Sequence, residues 1–151
     1  MSELKDRLQT DLTTAMRGRD QLTTATLRMA LAAITTEEVA GASVRELSDD
    51  EVLTVLVREA KKRREAAEAF GSAGRDELAE RERAEGTVLD RYLPEQLDDA
   101  RITDLVAAAI AETGATGMPQ MGAVMKAVQA KAGKRADGKR LSTEVRRQLA
   151  G

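Results

Sequence analysis

The residues that could do chemistry in this chain are charged ones, and they fall into four groups. The first is the basic run Lys61-Lys62-Arg63-Arg64, preceded by Arg58. On a helix such a run reads as a solvated face, with Glu65 and Glu68 offsetting it through i,i+4 pairs. The second is Glu82 and Glu85 on an otherwise apolar stripe. That placement predicts an interhelical ion pair, with Arg28 of an earlier helix as the candidate partner. The third is Asp49-Asp50-Glu51. A hard cation could sit there, but acids at a helix start compensate its dipole. The fourth is a cluster of cations around a turn: Lys126, Lys131, Lys134, Arg135, Lys139, Arg140, Arg146 and Arg147. Cations lining a turn and two helix faces suit a polyanion backbone, and a bland basic surface fits equally well.

Other chemistries lack their residues. The sequence contains no Cys and no His. Thiol nucleophiles and Ser–His pairs are therefore absent, and a zinc site would have to be all carboxylate. Gly133-Lys134-Arg135-Ala136-Asp137-Gly138-Lys139 has glycines and bases, but Arg140 stands where a phosphate loop needs Ser or Thr. These residues predict no catalytic centre, no cofactor and no metal. With one Phe, one Tyr and no Trp, stacking on single-stranded bases is disfavoured against contact with structured RNA through its backbone.

The elements that must carry these groups are helical. Of 151 residues, 42% are hydrophobic and 33% charged, with Ala, Leu, Glu, Arg and Lys dominant. No stretch alternates with period two. The pattern predicts an all-α protein, with an N-terminal bundle of long helices over 1–93 and a small three-helix bundle over 94–151.

Leu4, Leu8, Leu12 and Ala15/Met16 form one stripe, and Asp20 is the expected N-cap of the next helix. That helix is apolar on two sides, with Leu27, Leu31 and Ile34 on one row and Leu22, Met29 and Ala33 on the other. This places it centrally. Ser48-Asp49-Asp50-Glu51 reads as a capping box. A charged helix follows from Gly74 to Tyr92, with Leu78, Leu89 and Tyr92 on its apolar stripe. Pro94 forces a break, because the residue before a proline avoids helical geometry. Beyond it, one helix carries Ile102, Leu105, Val106, Ala109 and Ile110 and ends at Thr113-Gly114. A second starts at Gly117-Met118-Pro119. Gly133 to Gly138 is expected to be a basic turn, and Ser142 the N-cap of the last helix.

Charge is uneven along the chain. Met1 to Pro94 holds 15 basic and 19 acidic residues, and Glu95 to Gly117 holds 1 against 5. Met118 to Gly151 reverses this, with 8 basic and 2 acidic residues. The first residues, Met1 to Leu8, lack an apolar signal core, and no apolar run approaches the roughly 20 residues that cross a bilayer. The expected location is the cytoplasm, with no membrane partner.

The ordered set of motifs resembles the YqeY-like proteins. It comprises Ala15-Met16, Leu27-Arg28-Met29, Leu47-Ser48-Asp49, Lys61-Lys62-Arg63 and Ala73-Gly74-Arg75. It continues with Tyr92-Leu93-Pro94-Glu95-Gln96-Leu97, Met121-Gly122-Ala123-Val124-Met125-Lys126, and Ala136-Asp137-Gly138-Lys139 with Ser142. These proteins share their C-terminal module with the tail of the GatB component of glutamine-dependent aminoacyl-tRNA amidotransferases. The resemblance implies a helical bundle followed by a three-helix module. It also implies a tRNA-facing role centred on Met121 to Lys126 and Asp137 to Lys139. The family label of carbon–nitrogen ligase activity with glutamine as amido-N-donor attaches only by analogy, because the catalytic parts of the amidotransferase lie on other domains and components. The alternative is a protein-interaction adaptor that binds no nucleic acid. Charge reversal at Lys134 and Arg135 separates the two.

Overall fold

The computed structural model describes residues 2–151; Met1 lies outside the described residues. Among the described residues there are seven α-helices and no strand. They are α1 (Glu3–Arg17), α2 (Gln21–Glu38), α3 (Asp49–Ser72), α4 (Asp76–Asp90), α5 (Asp99–Thr113), α6 (Met121–Ala132) and α7 (Gly138–Ala150). The all-α expectation holds. The chain divides into two compact units, Met1–Leu93 and Pro94–Gly151.

In the first unit α2 packs against α1, α3 and α4, as an apolar face on two sides requires. Its core joins Leu8, Leu27, Ile34, Leu47, Val52, Leu56 and Leu89, all essentially sealed from solvent. Each such side chain contributes about 1.5–3 kcal/mol by leaving water. Met29 does not share in this and is 37% exposed. On α4 it is Ala79, not Leu78, that turns inward. The buried positions of α4 are Ala79, Glu85, Val88 and Leu89, and Glu82 and Glu85 reach Arg63 of α3 from this face.

The helix starts are settled locally. Asp20 accepts from the Thr23 amide at 3.0 Å. Ser48 accepts from the Glu51 amide at 3.2 Å while the Glu51 carboxylate accepts from the Ser48 amide at 3.2 Å, which completes the capping box. Ser142 is not a cap. Asp137 takes that role, accepting from the Arg140 amide at 2.9 Å. The helix therefore begins at Gly138, and Ser142 lies inside it, donating to the Lys139 carbonyl. The basic turn is correspondingly shorter, a single 3-10 turn over Gly133–Arg135 followed by extended Ala136. Between α1 and α2, Arg19 has a φ of 55°, the only non-glycine among the described residues in the left-handed region.

Four carboxyls at the α1, α2 and α3 junctions sit below their ordinary range, Asp20 through the Thr23 hydroxyl and amide. Asp49 is held there by the Ser2 hydroxyl and the Leu4 amide. Glu38 is lowered by the Lys5 ammonium at 2.9 Å, with help from the Leu47 amide. Glu51 is lowered by Arg45 to about 2. A carboxyl with a lowered folded pKa stabilises fully above its unfolded value and loses that contribution as pH falls through the folded one. No His titrates between. Stability of this unit is expected to be flat from about pH 7 to 5 and to fall progressively below about 4.5, towards 2. Urea unfolding followed by circular dichroism across that range checks this; a maximum near pH 4 would contradict it.

Candidate nucleic-acid interface

In the second unit α5, α6 and α7 pack pairwise around Ile102, Val106, Ala109, Val124, Val128, Leu141 and Val145. Gly114 ends α5 in the left-handed conformation, with φ 66°, which glycine adopts without a Cβ penalty. Apolar positions on α6 repeat at Val124, Val128 and Ala132. This leaves Lys126 on the solvent side of that helix. On α7, Leu141 and Val145 are buried, so Lys139 and Arg146, seven residues apart, share the outward stripe.

The eight cations named from the sequence separate into distinct roles. Lys131 pairs with Glu112 of α5 at 2.7 Å. Arg140 pairs with Asp99 at 2.9 Å and so ties α7 to the start of α5. Arg147 clasps Glu144 with contacts of 2.6 and 2.9 Å. This pair lowers the Glu144 carboxyl below its ordinary value and raises Arg147. Arg135 folds back on α6, donating from its guanidinium to the Lys131 carbonyl at 2.7 Å and the Ala132 carbonyl at 3.2 Å. It thereby caps the negative end of that helix. Charge reversal at Arg135 would place an anion there, so it tests the helix end as much as any ligand. Lys134 is half-buried and has a partner as well. Lys126, Lys139 and Arg146 are exposed, and among the described residues no acid pairs with them.

The turn is fastened from outside. Gln96 donates from its side-chain amide to the Lys134 carbonyl at 3.2 Å, and the Leu97 amide donates to the Arg135 carbonyl at 2.8 Å. Leu97 itself is buried in the second core. The Pro94-Glu95-Gln96-Leu97 motif is thus a strap across the basic turn. Its partners lie nearly forty residues away, so nothing local in the sequence announces this role. Sequence reasoning also passed over Arg101, exposed at the start of α5 and with no acidic partner among the described residues. It was masked by the acidic stretch around it.

The other basic run is occupied. Lys61 pairs with Glu65 at 3.9 Å, as i,i+4 spacing suggests. Lys62 turns back to Glu59 at 2.9 Å. Arg63, only 16% exposed, lies 3.2 Å from Glu85, 3.6 Å from Glu59 and 3.8 Å from Glu82. Arg81 also reaches Glu85, at 3.3 Å. Arg64 has a partner as well. The interhelical ion pair expected of Glu82 and Glu85 exists, but Arg63 supplies its cation. Arg28 is exposed and instead approaches the Met16 sulfur. Asp49 and Glu51 are engaged by Ser2, Leu4 and Arg45. Among the described residues no group of three or more acidic side chains could hold a metal ion, and no helix is long and apolar enough to cross a membrane.

No curated protein matches the sequence. The family described as Yqey-like protein matches residues 5–149, from the first turn of α1 to the last turn of α7. With that match spanning nearly the whole chain, and with the helical architecture in agreement, the protein belongs to the Yqey-like family.

Proposed function

We propose that the unit Pro94–Gly151 is a module of the amidotransferase-tail kind that holds structured RNA of the tRNA class by its phosphate backbone. On this reading the protein is a cytoplasmic accessory to tRNA-linked amide transfer and does no amide chemistry of its own. The observation that carries the proposal is the uncommitted charge. Lys126, Lys139 and Arg146 project from two adjacent helices without acidic partners among the described residues, in a segment of 8 basic and 2 acidic residues. Lys139 and Arg146 stand two turns apart on one stripe, about 10 Å, which suits contacts to successive phosphates rather than to one small anion. Lys131 and Arg140 are spent on the α5 acids Glu112 and Asp99, and Arg147 on Glu144 of its own helix.

The test is tRNA binding across a salt series, with the wild type beside Lys126→Ala/Lys139→Ala/Arg146→Ala. Among the described residues none of the three side chains has a hydrogen-bond or ion-pair partner, so the variant is expected to keep its helical content. Wild-type affinity should fall steeply with salt. The variant should bind more weakly, with a log–log salt slope shallower by about 2 to 3. An unchanged slope would remove these residues from the interface. No affinity even at low salt would sink the tRNA reading and leave a protein-interaction adaptor as the function to pursue.

A further inference from the structure

A second candidate site lies in the other unit and is independent of the RNA proposal. A cleft of about 300 Å³ opens between α1, the start of α2 and the end of α4, lined by Arg7, Asp11, Thr14, Asp20, Arg91 and Tyr92 among others. Its floor is rigid. Tyr92 is 8% exposed, its hydroxyl donates to Asp11 Oδ2 at 2.5 Å, and the Arg7 guanidinium lies 4.6 Å over its ring. Burial, followed by the bond to Asp11, pushes the Tyr92 phenol well up, so it stays a donor at any physiological pH.

The charged groups around this floor are only partly used. Asp20 is taken up by capping α2, through the Thr23 amide at 3.0 Å and the Thr23 hydroxyl at 2.7 Å. Arg7 stands 3.9 Å from Asp11, too far for a hydrogen bond. Asp11 Oδ1 accepts nothing, and the Arg91 guanidinium makes neither hydrogen bond nor ion pair among the described residues. Two guanidiniums with spare donors and a carboxylate with a spare oxygen therefore meet in one small concavity. A simple anion would face Asp11 and Asp20, and a simple cation would face Arg7 and Arg91. A ligand carrying both charges satisfies both sets. The volume, at the small end of ligand pockets, suits a molecule of amino-acid size.

We propose that this cleft binds a free α-amino acid as its zwitterion, with the carboxylate between Arg7 and Arg91 and the ammonium on Asp11. Planar guanidiniums match a carboxylate in paired hydrogen bonds. The spare oxygen of Asp11 receives the ammonium while its other oxygen stays bonded to Tyr92.

The experiment maps amide chemical shifts of the full chain during titration with each proteinogenic α-amino acid. Acetate and ethylamine serve as single-charge controls. Saturable shifts in α1, the α1–α2 turn and residues 90–92 are expected for at least one amino acid, and not for acetate or ethylamine at the same concentrations. Arg91→Ala, whose side chain makes no hydrogen bond or ion pair among the described residues, should weaken that binding about tenfold or more, with Arg91→Lys intermediate. Shifts from acetate equal to those from the amino acid would overturn the proposal, since the cleft would then be a plain anion site. So would unchanged affinity in Arg91→Ala, or no saturable shifts from any amino acid up to its solubility.

Discussion

Replacing Arg63 with alanine is expected to destabilise the N-terminal unit by about 3 to 5 kcal/mol, the cost of removing one partner from a buried ion pair. Among the described residues Arg63 is the only cation that reaches Glu59, Glu82 and Glu85 together, and the side chains of Glu59 and Glu85 are only 9% and 8% exposed. Without it, carboxylates on α3 and α4 face each other in a space that gives them little water. Lys62 and Arg81 remain as partners of Glu59 and Glu85, but both reach in from the surface, 59% and 60% exposed. The cluster is not a large net source of stability, because desolvation offsets much of its Coulomb gain. Two of its atoms, Arg63 Nε and Glu82 Oε2, are buried without a hydrogen-bond partner. The asymmetry is what matters: the complete cluster contributes modestly, and the broken one costs heavily. Arg63→Ala/Glu85→Ala should therefore lose less than the sum of its single variants. Urea unfolding monitored by circular dichroism measures both. A loss below about 1 kcal/mol for Arg63→Ala would mean that the acids reach solvent and the pair behaves as a surface contact.

Leu97→Ala is expected to remove about 2 to 4 kcal/mol from the C-terminal unit. The side chain is 5% exposed and packed with the second core. Its backbone amide also ties the strap to the Arg135 carbonyl. Truncation leaves a cavity under the basic turn while the hydrogen bond remains, so the loss is one of packing. A unit this small buries a limited core and has little stability to spare. Hydrogen exchange is the direct measure: amides of α5, α6 and α7 should lose protection while those of α1 to α4 keep theirs. Undiminished protection in α5–α7 would show that Leu97 is a peripheral contact.

The sequence by itself determined what depends on neighbours along the chain. Helix content follows from composition and three-to-four spacing. The starts at Asp20 and Ser48 follow from side chains that bond amides three residues on. The end of α5 at Gly114 follows from a backbone that only glycine adopts freely. The all-helical class and the family were legible for the same reason. The error at Ser142 arose from two good caps five residues apart, and Asp137 prevailed because a helix starting there extends through Leu141 to bury both it and Val145.

Only the tertiary structure decided which charges are free. Lys131, Arg135, Arg140 and Arg147 looked equivalent to Lys126, Lys139 and Arg146 in the sequence. Whether a cation is spent depends on acids and carbonyls brought to it by packing, such as Glu112 and Asp99 from another helix. The choice of Arg63 over Arg28 as partner of Glu85 had the same origin: α2 and α3 both pack against α4, and the packing turns Arg63 toward Glu85 and leaves Arg28 at the surface. Tyr92, Arg7 and Asp11, more than eighty residues apart at their extremes, meet for that reason too. Helical periodicity is a property of a few consecutive residues. Ion pairing and cavities belong to surfaces that meet only when distant helices pack.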